Sequence, residues 1–147
     1  MGFMRNEERK RRKMRSIAVV VVSVLLVALA AGAALAAAVT CPAAGGPCPG
    51  ATDQADTITG SANADDIRAL AGNDRVNGNA GDDSINGGSG NDRLNAGPGL
   101  DDVTAGTGDD FILVEDGEED TVNCGAGDDT IVNYDDGIDV LSRNCEL

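Results

Sequence analysis

The chain has 147 residues and a formal net charge of −14, which is enough length for one small domain beside a targeting segment. After residue 38 it has four basic and 23 acidic side chains, so this part carries a net charge of −19. A field of that sign repels nucleic acid and anionic lipid, and the scarcity of aromatic residues excludes a large aromatic core.

The first 38 residues have the order of a secretory signal. A basic stretch, RNEERKRRKMR, precedes an apolar run from Ile17 to Val39, and both Ala34-Leu35-Ala36 and Ala36-Ala37-Ala38 offer a cleavage pattern. The run also exceeds the ~18 apolar residues that span a bilayer, so a retained membrane anchor is the alternative. Both interpretations predict that everything after residues 1–38 is exported, with membrane contact only through an uncleaved segment.

Four cysteines lie in the exported part. Residues 39–50 are rich in Pro and Gly and predict a connector, which carries Cys41 and Cys48, whereas Cys124 and Cys145 lie towards the C-terminus. An even number of cysteines outside the cell favours disulfides. Of the three pairings, we favour Cys41–Cys48 with Cys124–Cys145, because each bridge would then clasp one end of the acidic region. A structural zinc site is the alternative, but the spacings are not those of Cys-x-x-Cys pairs and no His is present.

A nine-residue repeat begins at Ala51. The chain divides into ten units, from ATDQADTIT to YDDGIDVLS, with single-residue slips at Val114 and Asn133. The eighth position is a branched aliphatic residue in every unit, and the fourth is Gly in seven of the ten. The sixth position is always Asp: Asp56, Asp65, Asp74, Asp83, Asp92, Asp101, Asp110, Asp120, Asp129 and Asp139. A disordered acidic linker would explain the polarity of these residues but not their phase.

Such a period predicts a solenoid over residues 51–142, followed by a tail at 143–147. The first six positions of a unit have the Gly, Asn and Asp composition of turns, and the last three suffice for a minimal strand whose middle side chain faces inward. Two units would make one coil, giving about five two-repeat coils. We therefore expect an all-β fold with two parallel sheets, whose eighth-position aliphatic side chains interdigitate between them.

The units resemble the nonapeptide G-G-x-G-x-D-x-(aliphatic)-x of the RTX family, and GGSGNDRLN at 87–95 matches every defined position. The resemblance covers about 51–142. It implies a right-handed parallel β-roll, also called a β-solenoid, that binds calcium in its turns. The chain looks closest to the small stand-alone members of high-GC bacteria. Because no toxin or hydrolase domain accompanies the repeats, those activities are not transferred to it.

The residues themselves also favour a cation. Turns along one edge of the solenoid come from units two apart, so we expect Asp74, Asp92 and Asp110 to stack on one edge. The same spacing stacks Asp65, Asp83 and Asp101 on the other. Coils lie ~4.8 Å apart, and carboxylates at that distance repel unless a cation lies between them. Calcium prefers six to eight oxygen ligands, whereas magnesium demands stricter geometry. Because the predicted core is thin, we expect the array to be largely disordered without calcium and to fold on binding it.

The resemblance implies which residues bind. The sixth-position Asp residues would supply side-chain oxygen to ions shared by turns two units apart, and the fifth-position Asp residues Asp82, Asp109 and Asp128 would add ligands or only negative charge. The best pairs have Gly at position four in both turns: Asp74 with Asp92, Asp83 with Asp101, and Asp92 with Asp110. Missing glycines make Asp56 and Asp65 weaker candidates, and the two slips do the same for Asp120 and Asp139. We expect roughly three to five calcium ions.

The sequence predicts a binding or structural module and not an enzyme. It has no His, its cysteines are expected to be bridged, and the repeat accounts for every Asp pair. The favoured function is an exported, secreted or cell-surface, calcium-binding module. The alternative is a calcium-dependent adhesin with a glycan-binding face, on which Arg75 and Arg93 would lie one coil apart. We expect these arginines to balance neighbouring Asp residues.

Overall fold

The computed structural model describes residues 38–114, 116–142 and 144–145. The predicted export segment therefore lies outside the described residues, apart from Ala38. None of the described residues forms a helix, so the structure offers no helical membrane span. The strands are β1 Ala38–Thr40, β2 Gly46–Pro47, β3 Thr57–Thr59, β4 Asp65–Arg68, β5 Arg75–Asn77, β6 Ser84–Ser89, β7 Arg93–Asn95, β8 Asp102–Thr107, β9 Phe111–Leu113, β10 Thr121–Asn123, β11 Thr130–Val132 and β12 Val140–Leu141.

The strands form two six-stranded parallel sheets. The odd sheet has the order β1-β3-β5-β7-β9-β11, and the even sheet has the order β12-β10-β8-β6-β4-β2. Because successive strands alternate between the sheets, each pair of strands makes one coil, and each strand pairs with the strand two further along the chain. This is a parallel β-solenoid of about six turns, which confirms the predicted fold class.

The core is a double row of aliphatic side chains between the two sheets. In the odd sheet, Ile58 pairs with Val76, Val76 with Leu94, Leu94 with Ile112, and Ile112 with Ile131. The even sheet aligns the eighth-position residues of the intervening units in the same way. All ten are buried except Leu141, which is half-buried. The interdigitation expected from the eighth position is therefore present.

The first coil comes from residues 38–50, for which the sequence predicted a connector. β1 pairs with β3 so that Val39 is aligned with Ile58, and β2 pairs with β4 through Gly46 and Asp65. Val39 is buried, and its exposed neighbours Ala38 and Thr40 give the same out-in-out pattern as the later strands. This coil raises the number of coils from the expected five to six.

Val114, the extra residue at the first slip of the repeat, is buried in the core. Val114 is buried beside the first-position residues Ala96 and Ala105, which are also buried. The slip therefore adds a residue to the following turn without disturbing the sheets, and Ile112 still pairs with Ile131. The second slip, at Asn133, falls on an exposed residue with a φ of 54°.

Candidate metal sites

The sixth-position Asp residues form two rows, one along each edge of the solenoid. One row contains Asp56, Asp74, Asp92, Asp110 and Asp129, and the other contains Asp65, Asp83, Asp101, Asp120 and Asp139. Nine of these side chains are buried, with exposed fractions of 0 to 6%, and Asp139 is half-buried. The stacking of turns two units apart, which the repeat predicted, is thus present on both edges.

In eight of the ten carboxylates, one oxygen accepts a hydrogen bond from the preceding coil. The backbone N–H of Asp74 donates to Asp92 Oδ1 at 2.8 Å, and the N–H of Asp92 donates to Asp110 Oδ1 at 2.8 Å. The other row repeats this contact, for example from Asp83 N–H to Asp101 Oδ1 at 2.7 Å. Each of these eight Asp residues therefore fixes the spacing of two coils through a charge-assisted hydrogen bond.

The second oxygen of most of these carboxylates is buried without a hydrogen-bond partner among the described residues. The set consists of Oδ1 of Asp65 and Oδ2 of Asp74, Asp83, Asp92, Asp101, Asp110, Asp120 and Asp129. A buried anionic oxygen without a partner is costly, since it has lost its hydration. Eight such atoms in two regular rows call for a cation.

Two sixth-position residues lack such an orphaned oxygen. The Thr52 N–H and hydroxyl donate to the Asp56 carboxylate, and the Asp135 N–H donates to Asp139 Oδ2 at 2.7 Å. Asp65 shares part of this pattern, because the Ser61 N–H donates to its Oδ2 at 2.6 Å. These three Asp residues were among those the sequence marked as weaker candidates.

The carboxylates are electrostatically strained when no cation is present. Burial raises the pKa of Asp83, Asp92 and Asp101 to about 6 and that of Asp120 to about 7, with repulsion from neighbouring carboxylates adding to the shift. Burial also raises the pKa of Asp74 and Asp110. All these shifts mean that the folded chain disfavours the charged form of the residues it buries.

The turns bring the backbone carbonyl oxygens of one coil close to the backbone of the next coil. Gly90 has a φ of +123°, which few other residues adopt, and a Cβ built on it would overlap the Gly72 carbonyl oxygen of the coil before. Gly108 approaches the carbonyl oxygen of Gly90 in the same way. Carboxylate and carbonyl oxygens are the ligands that calcium prefers. The residues present therefore fit Ca²⁺, with the orphaned carboxylate oxygens as the anionic part of the ligand set.

The fifth-position side chains form a second, outer ladder that the sequence did not predict. The Asp109 N–H donates to Asn91 Oδ1 at 3.1 Å, and the Asp128 N–H donates to Asp109 Oδ1 at 3.0 Å. Asp82 accepts in the same way from the Leu100 N–H at 3.2 Å. These side chains are exposed, and Asn serves at this position as well as Asp. The contact that the structure shows for Asp82, Asn91 and Asp109 is therefore a hydrogen bond from the backbone N–H of the next coil.

Both disulfides favoured by the sequence are present. Cys41 is bonded to Cys48 in the first coil, and Cys124 is bonded to Cys145 near the C-terminus. The described residues contain no free cysteine. The cysteines thus offer no thiolates to a zinc ion, and the bridges indicate an oxidising environment.

The chain was compared with families and with individual proteins. The family model described as RTX calcium-binding nonapeptide repeat (4 copies) matches residues 51–85, 77–112 and 96–131, which together cover more than half of the sequence. No curated protein matches the chain. The repeat, the solenoid and the family match agree, and the chain belongs to the RTX calcium-binding nonapeptide repeat family.

Proposed function

We propose that this protein is an exported calcium-binding β-roll that folds when it binds Ca²⁺ outside the cell and then serves as a structural or binding module. The observation that carries this proposal is the double row of buried carboxylates, eight of which have an oxygen that lacks a hydrogen-bond partner among the described residues. Membership of the family supports calcium as the ion. No catalytic step is part of this function.

The pattern of orphaned oxygens supports a specific set of ligands. The central residues Asp74, Asp83, Asp92, Asp101 and Asp110 each have one such oxygen, next to turns with Gly at position four. Asp120 and Asp129 keep the same arrangement beyond the first slip. Asp56 and Asp139 are poorer ligands, since backbone and hydroxyl groups already occupy their oxygens. We propose roughly three to five ions, each held between turns two units apart.

Folding and calcium binding form one process in this proposal. The core has one aliphatic side chain per nine-residue unit, and the edges bury carboxylates whose charged form is disfavoured. Calcium removes that penalty only in the folded chain, because the unfolded chain does not bring the turns together. The calcium concentration is low inside a cell and higher outside it. The chain would therefore stay unfolded inside the cell and fold after export.

A calorimetric calcium titration of the native chain and two matched variants tests this assignment. Asp92→Asn keeps the Oδ1 acceptor for the Asp74 N–H but replaces the orphaned oxygen with an amide group. Asp102→Asn makes the same chemical change on an exposed side chain of β8. We expect Asp92→Asn to bind fewer ions or to bind them at least about tenfold more weakly, and Asp102→Asn to behave as the native chain. Equal calcium binding by all three proteins would contradict the proposal.

Export is the second part of the proposal. Cleavage after Ala36 would leave β1 whole, since that strand begins at Ala38 and contributes Val39 to the core. We therefore expect the exported protein to begin at Ala37. Mass spectrometry of the protein recovered from the medium measures this end directly. An intact chain found in the membrane fraction would establish a retained anchor in place of a cleaved signal.

A further inference from the structure

The outer face of the odd sheet has a charge opposite to the net charge of residues 39–147. Arg75 and Arg93 point outward from β5 and β7 and lie directly beside each other in the strand register. No outward residue of the odd strands is acidic, although residues 39–147 carry a net charge of −19. This face is therefore a small cationic patch on an acidic protein.

The sequence led us to expect that the two arginines balance neighbouring acidic groups, but neither forms an ion pair with any of the described residues. Within the described part of the chain, the one ion pair joins Arg68 to Asp66 at 3.1 Å, on the even sheet. The Asp residues that precede Arg75 and Arg93 are turned inward and buried. The guanidinium groups are thus available to a ligand, and their planar geometry suits the two oxygens of a carboxylate.

The side chains around the arginines form an organised groove of about 420 Å³. The Arg93 guanidinium lies over the Phe111 ring, 4.6 Å from its centroid, which restricts its orientation. The Asn95 amide donates to Asn77 Oδ1 at 3.0 Å, so the amides beside the arginines are ordered as well. Thr57 and Leu113 extend the groove with a hydroxyl and an apolar surface.

We propose that this groove binds a short acidic oligosaccharide through two carboxylates on adjacent sugars. Strands are ~4.8 Å apart, so Arg75 and Arg93 present two cationic forks at the spacing of one coil. Asn77, Asn95 and the threonines hydrogen-bond sugar hydroxyls, and Leu113 offers an apolar contact to a sugar ring. This role goes beyond calcium binding, but it rests on the calcium-folded β-roll proposed above.

The negative charge of the protein disfavours large anionic ligands at this groove. A nucleic acid or a second copy of this chain would bring many negative charges close to the acidic edges of the solenoid. A short dianionic ligand needs only the two arginines, because charges more than ~8 Å away are screened at physiological ionic strength. We therefore assign the groove to a small acidic glycan segment.

Calorimetric titration of the calcium-loaded full chain with digalacturonate tests the inference, with neutral digalactose and inorganic phosphate as comparison ligands. The variants are Arg75→Gln/Arg93→Gln, Arg75→Lys/Arg93→Lys and, as a matched control on the opposite sheet, Arg68→Gln. We expect the native chain and Arg68→Gln to bind digalacturonate equally. The glutamine pair should bind at least about tenfold more weakly, and the lysine pair should lie between, because it keeps the charge and loses the fork.

Several outcomes would overturn the inference. They are no binding of digalacturonate, equal binding of digalactose, equally tight binding of phosphate, or the same loss in Arg68→Gln as in the glutamine pair. A native dimer that the glutamine pair abolishes would assign the face to a second copy. Circular dichroism of the same samples checks the calcium-dependent fold, so that a failure of the proposed folding mechanism is distinguished from a failure of glycan binding.

Discussion

At the scale of single residues, the two oxygens of the sixth-position Asp have different roles. In Asp92, Oδ1 accepts the Asp74 N–H and sets the distance between coils, whereas Oδ2 has no hydrogen-bond partner within the described residues. Asn would serve the first role, but only a carboxylate supplies an anionic ligand as well. This division holds for the seven sixth-position residues from Asp74 to Asp129 and explains why each of them is Asp, whereas the fifth position varies.

The fifth position provides a contrasting test. Asp109→Asn keeps the Oδ1 acceptor for the Asp128 N–H, so we expect the free energy of unfolding in saturating calcium to change by less than about 0.5 kcal/mol. Asp109→Ala removes that acceptor and should cost about 0.5–1.5 kcal/mol. Urea unfolding measures both changes. If Asp109→Asn lost calcium as Asp92→Asn is expected to, then Asp109 would be a calcium ligand and not only a backbone acceptor.

The buried carboxylates predict how the calcium-free chain responds to pH. The pKa values of Asp83, Asp92 and Asp101 are raised to about 6 in the folded chain, above the value of 3.8 for a free side chain. The folded chain therefore binds more protons than the unfolded chain between these values, and its stability falls as pH rises through about 6.

We accordingly expect calcium-free protein to gain β-sheet circular dichroism when it is acidified from about pH 7.5 to about pH 5. The same acidification in saturating calcium serves as the control and should produce no such gain, because the chain is already folded. A calcium-free chain that stays disordered at both pH values would contradict this role of the carboxylates.

At the scale of elements, the coils depend on close backbone contact with one another. Gly106 has a φ of +119°, and a Cβ there would overlap the Gly88 carbonyl oxygen. Gly117 has a φ of +89°, but a Cβ there would meet nothing within 4 Å. The two positions thus share the backbone strain of a left-handed conformation and differ in steric overlap.

Gly117→Ala should therefore destabilise the calcium-loaded protein by about 1–2 kcal/mol through backbone strain. Gly106→Ala should cost about 1–3 kcal/mol more, because the added methyl group forces the stacked coils apart at β6 and β8. Urea unfolding of both variants in the same calcium concentration gives the difference. Equal destabilisation would show that the stacked coils have room to separate.

The sequence predicted the regular elements well, because the period fixes both the strand phase and the inward side chain. It missed the first coil, since Val39 lies inside a continuous apolar run and no Asp precedes it in the repeat phase. It also missed the burial of Val114, which appeared only as an interruption of the repeat. The small residues at position one, among them Ala96 and Ala105, gave a signal for a second buried column that could have been used.

The candidate site was predictable in composition but not in detail. The repeat placed the sixth-position Asp residues on two edges, and the structure shows that stacking. Which oxygen of each carboxylate is engaged depends on turn geometry, as Thr52 shows by occupying the oxygens of Asp56. The backbone contacts of Asp109 were equally hidden, because a carboxylate that binds metal and one that accepts an N–H look the same in a sequence.

At the scale of the whole molecule, the regular stacking of the coils brings like charges close together, and this repulsion opposes folding unless a cation is bound. The sheets place like carboxylates in register along both edges, and residues 39–147 carry a net charge of −19. Disulfides hold the first coil and the C-terminal region, but the coils between them rely on a thin aliphatic core. Calcium bound along the edges would neutralise the repulsion and join successive coils.

The most direct test of this account is circular dichroism of the full chain titrated with calcium, with magnesium as the control ion. We predict that β-sheet signal appears cooperatively with calcium, is reversed by a chelator, and does not appear at the same concentration of magnesium, which fits the flexible oxygen sites poorly. A full β-sheet signal at neutral pH in the absence of calcium, or an equal response to magnesium, would contradict calcium-coupled folding.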